Sequence, residues 1–209
     1  VVERGMEGFE RGRHLDKIGL DAQDTAELSF TDVKVPAANL LGEEGGGFKL
    51  AMRILDRSRP GVAAQALGIA QGATDYALEY ARTRETMGKP IAEHQLIAAK
   101  LADMETRCEA ARGLLYRFGR MVDEGAPDAE LTKASAMAKL FCTDAAMDVT
   151  TEAVQVLGGY GYIKEYPVER MMRDAKITQI YEGTNEIQRI VIAREMLKET
   201  RAFLLAGVA

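Results

Sequence analysis

No tryptophan occurs in this chain of 209 residues, and histidine and cysteine occur only twice each. The scarcity excludes several chemistries. A di-iron helical bundle needs Glu-x-x-His pairs on facing helices, and neither His14 nor His94 has a glutamate three residues before it. Cys108 and Cys142 form no cluster at metal-ligand spacing, so no metal is expected. Both fall inside helical patterns and read as buried free thiols, as in a reducing compartment. No Gly-x-Ser-x-Gly elbow is present for an acyl-transfer serine. No apolar run approaches the length of a membrane helix, so no membrane partner is expected. With 27 Lys and Arg against 32 Asp and Glu, the net charge of -5 lacks the basic excess that nucleic-acid binding requires.

What is present is helix. A first segment over about 47–84 contains Pro60, expected to kink or locally open it, and ends at Gly88 and Pro90. A second, over about 94–124, places Ile97, Leu101, Met104, Cys108, Ala111, Leu115, Phe118 and Val122 at alternating steps of four and three, the seam of a helix packed lengthwise. Gly125-Ala126-Pro127 breaks it. A third runs to about 157 with Leu131, Ala134, Ala138, Phe141, Ala145, Val149, Ala153 and Val156 on one face, its alanines implying close helix approach. A short segment follows from Pro167 to Asp174, and a last helix over about 185–204. Short loops make long helices antiparallel neighbours. The fold class is therefore mainly α, an antiparallel four-helix bundle with a short N-terminal β remnant. Residues 26–35 carry the strand signal, Leu28, Phe30, Val33 and Val35 alternating with polar neighbours. One or two strands cannot form an independently stable sheet, so the chain is expected to be the C-terminal part of a longer protein.

The stretch from Arg173 to Arg189 holds the most suggestive local chemistry. Glu182 follows apolar Ile177, Ile180 and Tyr181 and precedes Gly183, which permits a sharp turn. Thr184 or Asn185 can cap the next helix, Gln188 lying three residues past Asn185 as in a capping box. A carboxylate held against apolar side chains has its charged form disfavoured and gains basicity. The bland alternative is a solvated glutamate in a turn. Two other features read blandly in isolation. Gly158-Gly159-Tyr160-Gly161-Tyr162 follows a helix, not a strand, which suits a C-cap better than a Rossmann loop. Asp56 and Arg59 suit an intrahelical ion pair, and Arg84 a helix-end cation.

Ile180-Tyr181-Glu182-Gly183-Thr184-Asn185-Glu186-Ile187-Gln188, preceded by Arg173-Asp174, resembles the C-terminal signature of the acyl-CoA dehydrogenase family. The likeness runs from about Phe9 to about Leu197. It implies that residues 1–42 are the end of the family's middle β-domain and 43–209 its C-terminal helical-bundle domain. It implies FAD as cofactor, held by Arg84, Thr86, His94 and Gln95, by Gln155, Val156, Leu157, Gly158 and Gly159, and by Gly183, Thr184, Asn185 and Glu186. The first two stretches would reach a flavin bound mainly by a neighbouring subunit, in a homotetramer. Asp56 and Arg59 match positions that touch the acyl-CoA substrate.

The reaction implied is α,β-dehydrogenation, Glu182 taking the α-proton while the β-hydrogen leaves as hydride to flavin. Some family members place the carboxylate on the first helix instead, where this chain has Ser58. The resemblance further implies electron-transferring flavoprotein as acceptor and the bacterial cytoplasm in preference to the mitochondrial matrix. A flavin oxidase of the same fold and a non-catalytic helical assembly subunit are the alternatives.

Overall fold

The computed structural model describes the backbone of residues 1–206 and the side chains of residues 1–198. The last three residues of the domain expected over 43–209 lie outside the described residues. Two compact units are present, Val1–Ile54 and Leu55–Ala209.

In the first unit, β1 (Phe9–His14) pairs antiparallel with β2 (Ala26–Phe30), Phe9 opposite Phe30 with their rings stacked at 5.2 Å. A register shift falls between Arg11 and His14. The strand expected over 26–35 stops at Phe30, because Asp32 turns into the left-handed region at φ 51°. Val33 and Val35 therefore lie outside it.

Among the described residues five α-helices follow: α1 (Gly47–Thr83), α2 (Gln95–Asp123), α3 (Asp128–Leu157), α4 (Val168–Thr178) and α5 (Asn185–Ala206). Four are long, as the sequence patterns predict. The short segment expected over 167–174 extends to Thr178 as α4. Between α1 and α2, a hairpin of β3 (Glu85–Thr86) and β4 (Lys89–Pro90) turns through Met87 and Gly88, both at positive φ. Sequence reading sees only the stop signals there.

The first three helices run antiparallel in chain order. Thr74 meets Cys108 and Gln71 meets Arg112 across α1 and α2, while Arg107 pairs with Asp148 and Lys100 with Glu152 across α2 and α3. Alanines make this packing close. Ala63, Ala66, Ala70, Ala73, Ala77 and Ala81 of α1 enter one core with Met104 and Cys108 of α2 and Ala138, Cys142, Ala146, Val149 and Ala153 of α3. Burial pushes the Cys142 thiol up to about 12, so it is inert at neutral pH.

Two expected faces need correction. The α2 seam is buried from Met104 to Ala111, but Val122 at its end is 48% exposed. In α3 the single face is too narrow: Phe141 is 38% exposed, while Ala136, Lys139, Cys142, Thr143, Ala146 and Thr150 are also fully buried. A helix covered by α2, α4 and α5 has little free circumference to leave polar.

α1 continues through Pro60 to Thr83, and the local opening expected there is confined to one carbonyl. Proline has no N–H for the carbonyl of Asp56, and that carbonyl accepts instead from the buried Ser135 hydroxyl of α3 at 3.2 Å. Ser135→Ala is therefore expected to cost ~1 kcal/mol of stability by removing this replacement donor. A urea midpoint unchanged from the parent would show that the carbonyl finds another.

Candidate functional site

The turn between α4 and α5 is tied down at every step. After Thr178 the backbone closes once more, Ile180 and Tyr181 bonding back to the carbonyl of Ile177 at 2.8 and 3.1 Å. Glu182 then takes φ 54°, a conformation few side chains adopt and one that persists where the surroundings over-determine it. Gly183 follows at φ 91°. A Cβ on it would lie 2.7 Å from Gln188 Nε2, which donates to the Gly183 carbonyl at 2.9 Å.

Thr184 caps α5, its hydroxyl accepting the Ile187 N–H at 3.4 Å. The capping box expected between Asn185 and Gln188 does not form, because both side chains are taken elsewhere. Asn185 is buried against α3, its amide nitrogen donating to Thr143 Oγ1 at 2.9 Å and Asp144 Oδ1 at 2.7 Å. Lys139, itself fully buried, donates to Asn185 Oδ1 at 2.8 Å and to the Gly183 carbonyl at 3.0 Å. Asp144 also receives Gln179 Nε2 at 2.7 Å and pairs with Arg189 at 3.1 Å. Glu186 is exposed, and its own backbone N–H, then the Thr184 hydroxyl, hold its carboxyl below the usual range.

Glu182 is half-buried, and its Oε2 accepts from Ser58 Oγ of α1 at 2.6 Å. The two positions considered for a carboxylate therefore converge in space. Tyr181 adds a second tie to α1, its hydroxyl donating to Gln65. Of the apolar residues expected to flank Glu182, Ile180 is 49% exposed, so the enclosure comes from α1 and Tyr181. Asp56 and Arg59 form the ion pair expected of them, at 2.6 Å, with Arg59 buried and its Nε without a partner among the described residues.

A second group assembles beyond the far end of α1. Arg84, Thr86, His94, Val156, Leu157, Gly158 and Gly159 line one cavity of about 670 Å³. Thr86 Oγ1 and His94 Nε2 lie 2.9 Å apart, and the Arg84 guanidinium sits 5.5 Å above the Tyr160 ring. Its partner there is an aromatic face, which leaves the N–H fork for an anion. Gly158 does end α3 as a C-cap, at φ 61°, so both readings of the glycine run hold together. Gln95 and Gln155 are exposed and outside the cavity wall.

Residues 45–197 match the family model described as acyl-CoA dehydrogenase, C-terminal domain. The chain belongs to the acyl-CoA dehydrogenase family. It is 53% identical over 199 residues to cyclohexane-1-carbonyl-CoA dehydrogenase of Geobacter metallireducens, covering 95% of this chain and 52% of that protein. The solved structure of butyryl-CoA dehydrogenase from Megasphaera elsdenii superposes with a TM-score of 0.90 at 55% identity, over 94% of this chain and 50% of that one. A chain in the structure described as the electron transferring flavoprotein of Acidaminococcus fermentans gives 0.90 at 54% identity, over 94% and 51%. This chain thus spans about half the length of the curated relatives it matches.

Sequence reasoning missed Lys139, Thr143 and Asp144. The signal was available: Ser135, Lys139 and Thr143 recur at four-residue steps on an alanine-rich helix. Gly183→Ala is expected to cost about 1–3 kcal/mol, from the positive φ and the displaced Gln188 amide. Differential scanning calorimetry checks this, and an unchanged melting temperature would show that the turn accommodates a side chain.

Proposed function

We propose that the complete protein is an FAD-dependent acyl-CoA dehydrogenase in which Glu182 removes the α-proton of a bound acyl-CoA thioester. The observation that carries this reading is the Glu182 carboxylate itself. It stands on a strained, pinned turn with one oxygen held by Ser58, and Oε1 has no hydrogen bond among the described residues. A base so held needs little reorganisation before it takes a proton.

The thioester Cα–H bond breaks toward a Glu182 oxygen, and the electron pair left behind forms the Cα–Cβ double bond as the β-hydrogen departs as hydride. FAD, when bound, supplies the two-electron acceptor for that hydride. The backbone N–H of Glu182 is the donor proposed for the developing enolate oxygen, because a fixed dipole at that point lowers the barrier to forming it. Asp56 and Arg59, within one turn of Ser58, are proposed to contact the acyl-CoA. Arg84, Thr86, His94, Val156, Leu157, Gly158 and Gly159 have the character a dinucleotide requires: a guanidinium, two polar hydrogen-bonding groups and exposed backbone beside apolar walls. Gln95 and Gln155 enter the same proposal from outside the cavity wall, and Gly183, Thr184, Asn185 and Glu186 from the helix mouth.

Length along α1 supports an assembly. Ser58 and Arg84 are 26 positions apart (84 − 58) on and just past one continuous helix, about 39 Å at 1.5 Å per residue. One dinucleotide does not span that distance, so the cavity and the Glu182 turn serve different flavins, and a homotetramer built through these helices is the proposed form. Residues 1–42 and 43–209 are proposed as the end of the β-domain and the helical domain. Electron-transferring flavoprotein is the proposed acceptor, supported by the Acidaminococcus chain. The bacterial relatives support a bacterial cytoplasmic enzyme. Among the described residues no helix is long and apolar enough to cross a membrane.

In the full-length protein, Glu182→Gln is expected to keep flavin absorbance and ligand binding while turnover falls about 10²–10⁴-fold. Stopped-flow reduction by an acyl-CoA reads this directly, and turnover within a few-fold of the parent means that another group is the base.

A further inference from the structure

Lys139 places an ammonium inside the core of the helical domain. Its side chain is fully buried in α3, and its ammonium donates only to neutral acceptors, the Gly183 carbonyl at 3.0 Å and the Asn185 side-chain oxygen at 2.8 Å. Neither acceptor needs it. Gly183 O also receives Gln188 Nε2 at 2.9 Å, and the Thr143 hydroxyl, 2.8 Å from the Lys139 carbonyl of its own helix, lies 3.1 Å from Asn185 Oδ1 and can turn to it. An apolar chain of the same length would leave both satisfied and would avoid desolvating a cation. Stability therefore does not explain the ammonium.

Position does. The two bonds straddle Thr184 and clamp the turn to α3 directly after Glu182, the residue whose φ of 54° requires outside support. We propose that Lys139 is a positioning residue whose ammonium sets the turn that aims Glu182. The proposal rests on the reading of Glu182 as the base.

The charged groups facing Lys139 are Asp144 of α3, Arg59 of α1, Glu186 of α5 and Glu182 of the turn. Burial outweighs them and lowers the ammonium to about 8, with Asp144 opposing the shift and Arg59 adding to it. In the unfolded chain the same group keeps its proton to about 10.4. Between those values the unfolded state binds more protons, so this group makes the fold more stable as pH rises, while its charge-assisted hold on the turn weakens. Stability and turnover thus move in opposite directions over one pH interval.

The test compares the full-length flavoenzyme with its Lys139→Met and Glu182→Gln variants. Lys139→Met is expected to retain flavin, to melt at or above the parent temperature at pH 7, and to lose at least ten-fold in kcat with KM nearly unchanged. Its kcat should stay flat above pH 8, where the parent's falls, and the parent's melting temperature should gain on the variant's from about pH 8 to 10. A Lys139→Met enzyme within two-fold of the parent overturns the proposal, as does one that loses flavin or fails to fold, since either makes the ammonium structural or idle. If Glu182→Gln turns over normally, the underlying assignment of the base fails instead.

Discussion

Every polar group on a helix buried around most of its circumference must find a partner inside the protein, and this constraint shapes α3 and all that packs on it. Ser135, Lys139, Thr143 and Thr150 are fully buried among alanines. Thr150 returns its hydroxyl to its own helix, at the Ala146 carbonyl. Ser135, Lys139 and Thr143 reach outward, to a carbonyl of α1 and to the turn before α5. Those outward bonds bring Ser58 and Glu182 to the same point from 124 residues apart in the chain.

The same economy operates at the other end of α1. The hairpin at Met87 and Gly88 reverses the chain in two residues, so Arg84, Thr86 and His94 return to one wall, opposite the glycines that end α3. Tyr80 meets Tyr166 edge to face and Tyr160 packs tilted against both, giving the guanidinium an aromatic seat in place of an acid. Burial pushes the Tyr80 phenol above its usual range, so it stays neutral beside that cation.

Much of this was legible in the sequence, for reasons that can be named. Helix extents followed from long apolar periodicity and from Gly and Pro punctuation, which act locally. The Glu182 motif and the three stretches carried by resemblance were legible as strings of residues. What escaped depends on distant partners. The strand Phe9–His14 has one apolar residue in six and exists through pairing with β2. Asn185 looks like a cap in isolation, yet α3 claims its side chain. Lys139 looks like a surface lysine until the helices around it are placed. Pro60 looks like a kink or a local opening, because the hydroxyl that compensates it lies 75 positions away (135 − 60).

That last contact bears on how two alanine-lined rods come to rest against one another. Smooth small-residue faces repeat nearly the same groove every turn, so sliding by 5.4 Å would exchange one good fit for another. An unpaired carbonyl made by a single proline exists at one height only, and a serine can meet it at one height only. The pair ties one height of α1 to one height of α3. An imino acid that weakens its own helix thereby supplies the reference point from which the placement of Ser58 opposite Glu182 is measured.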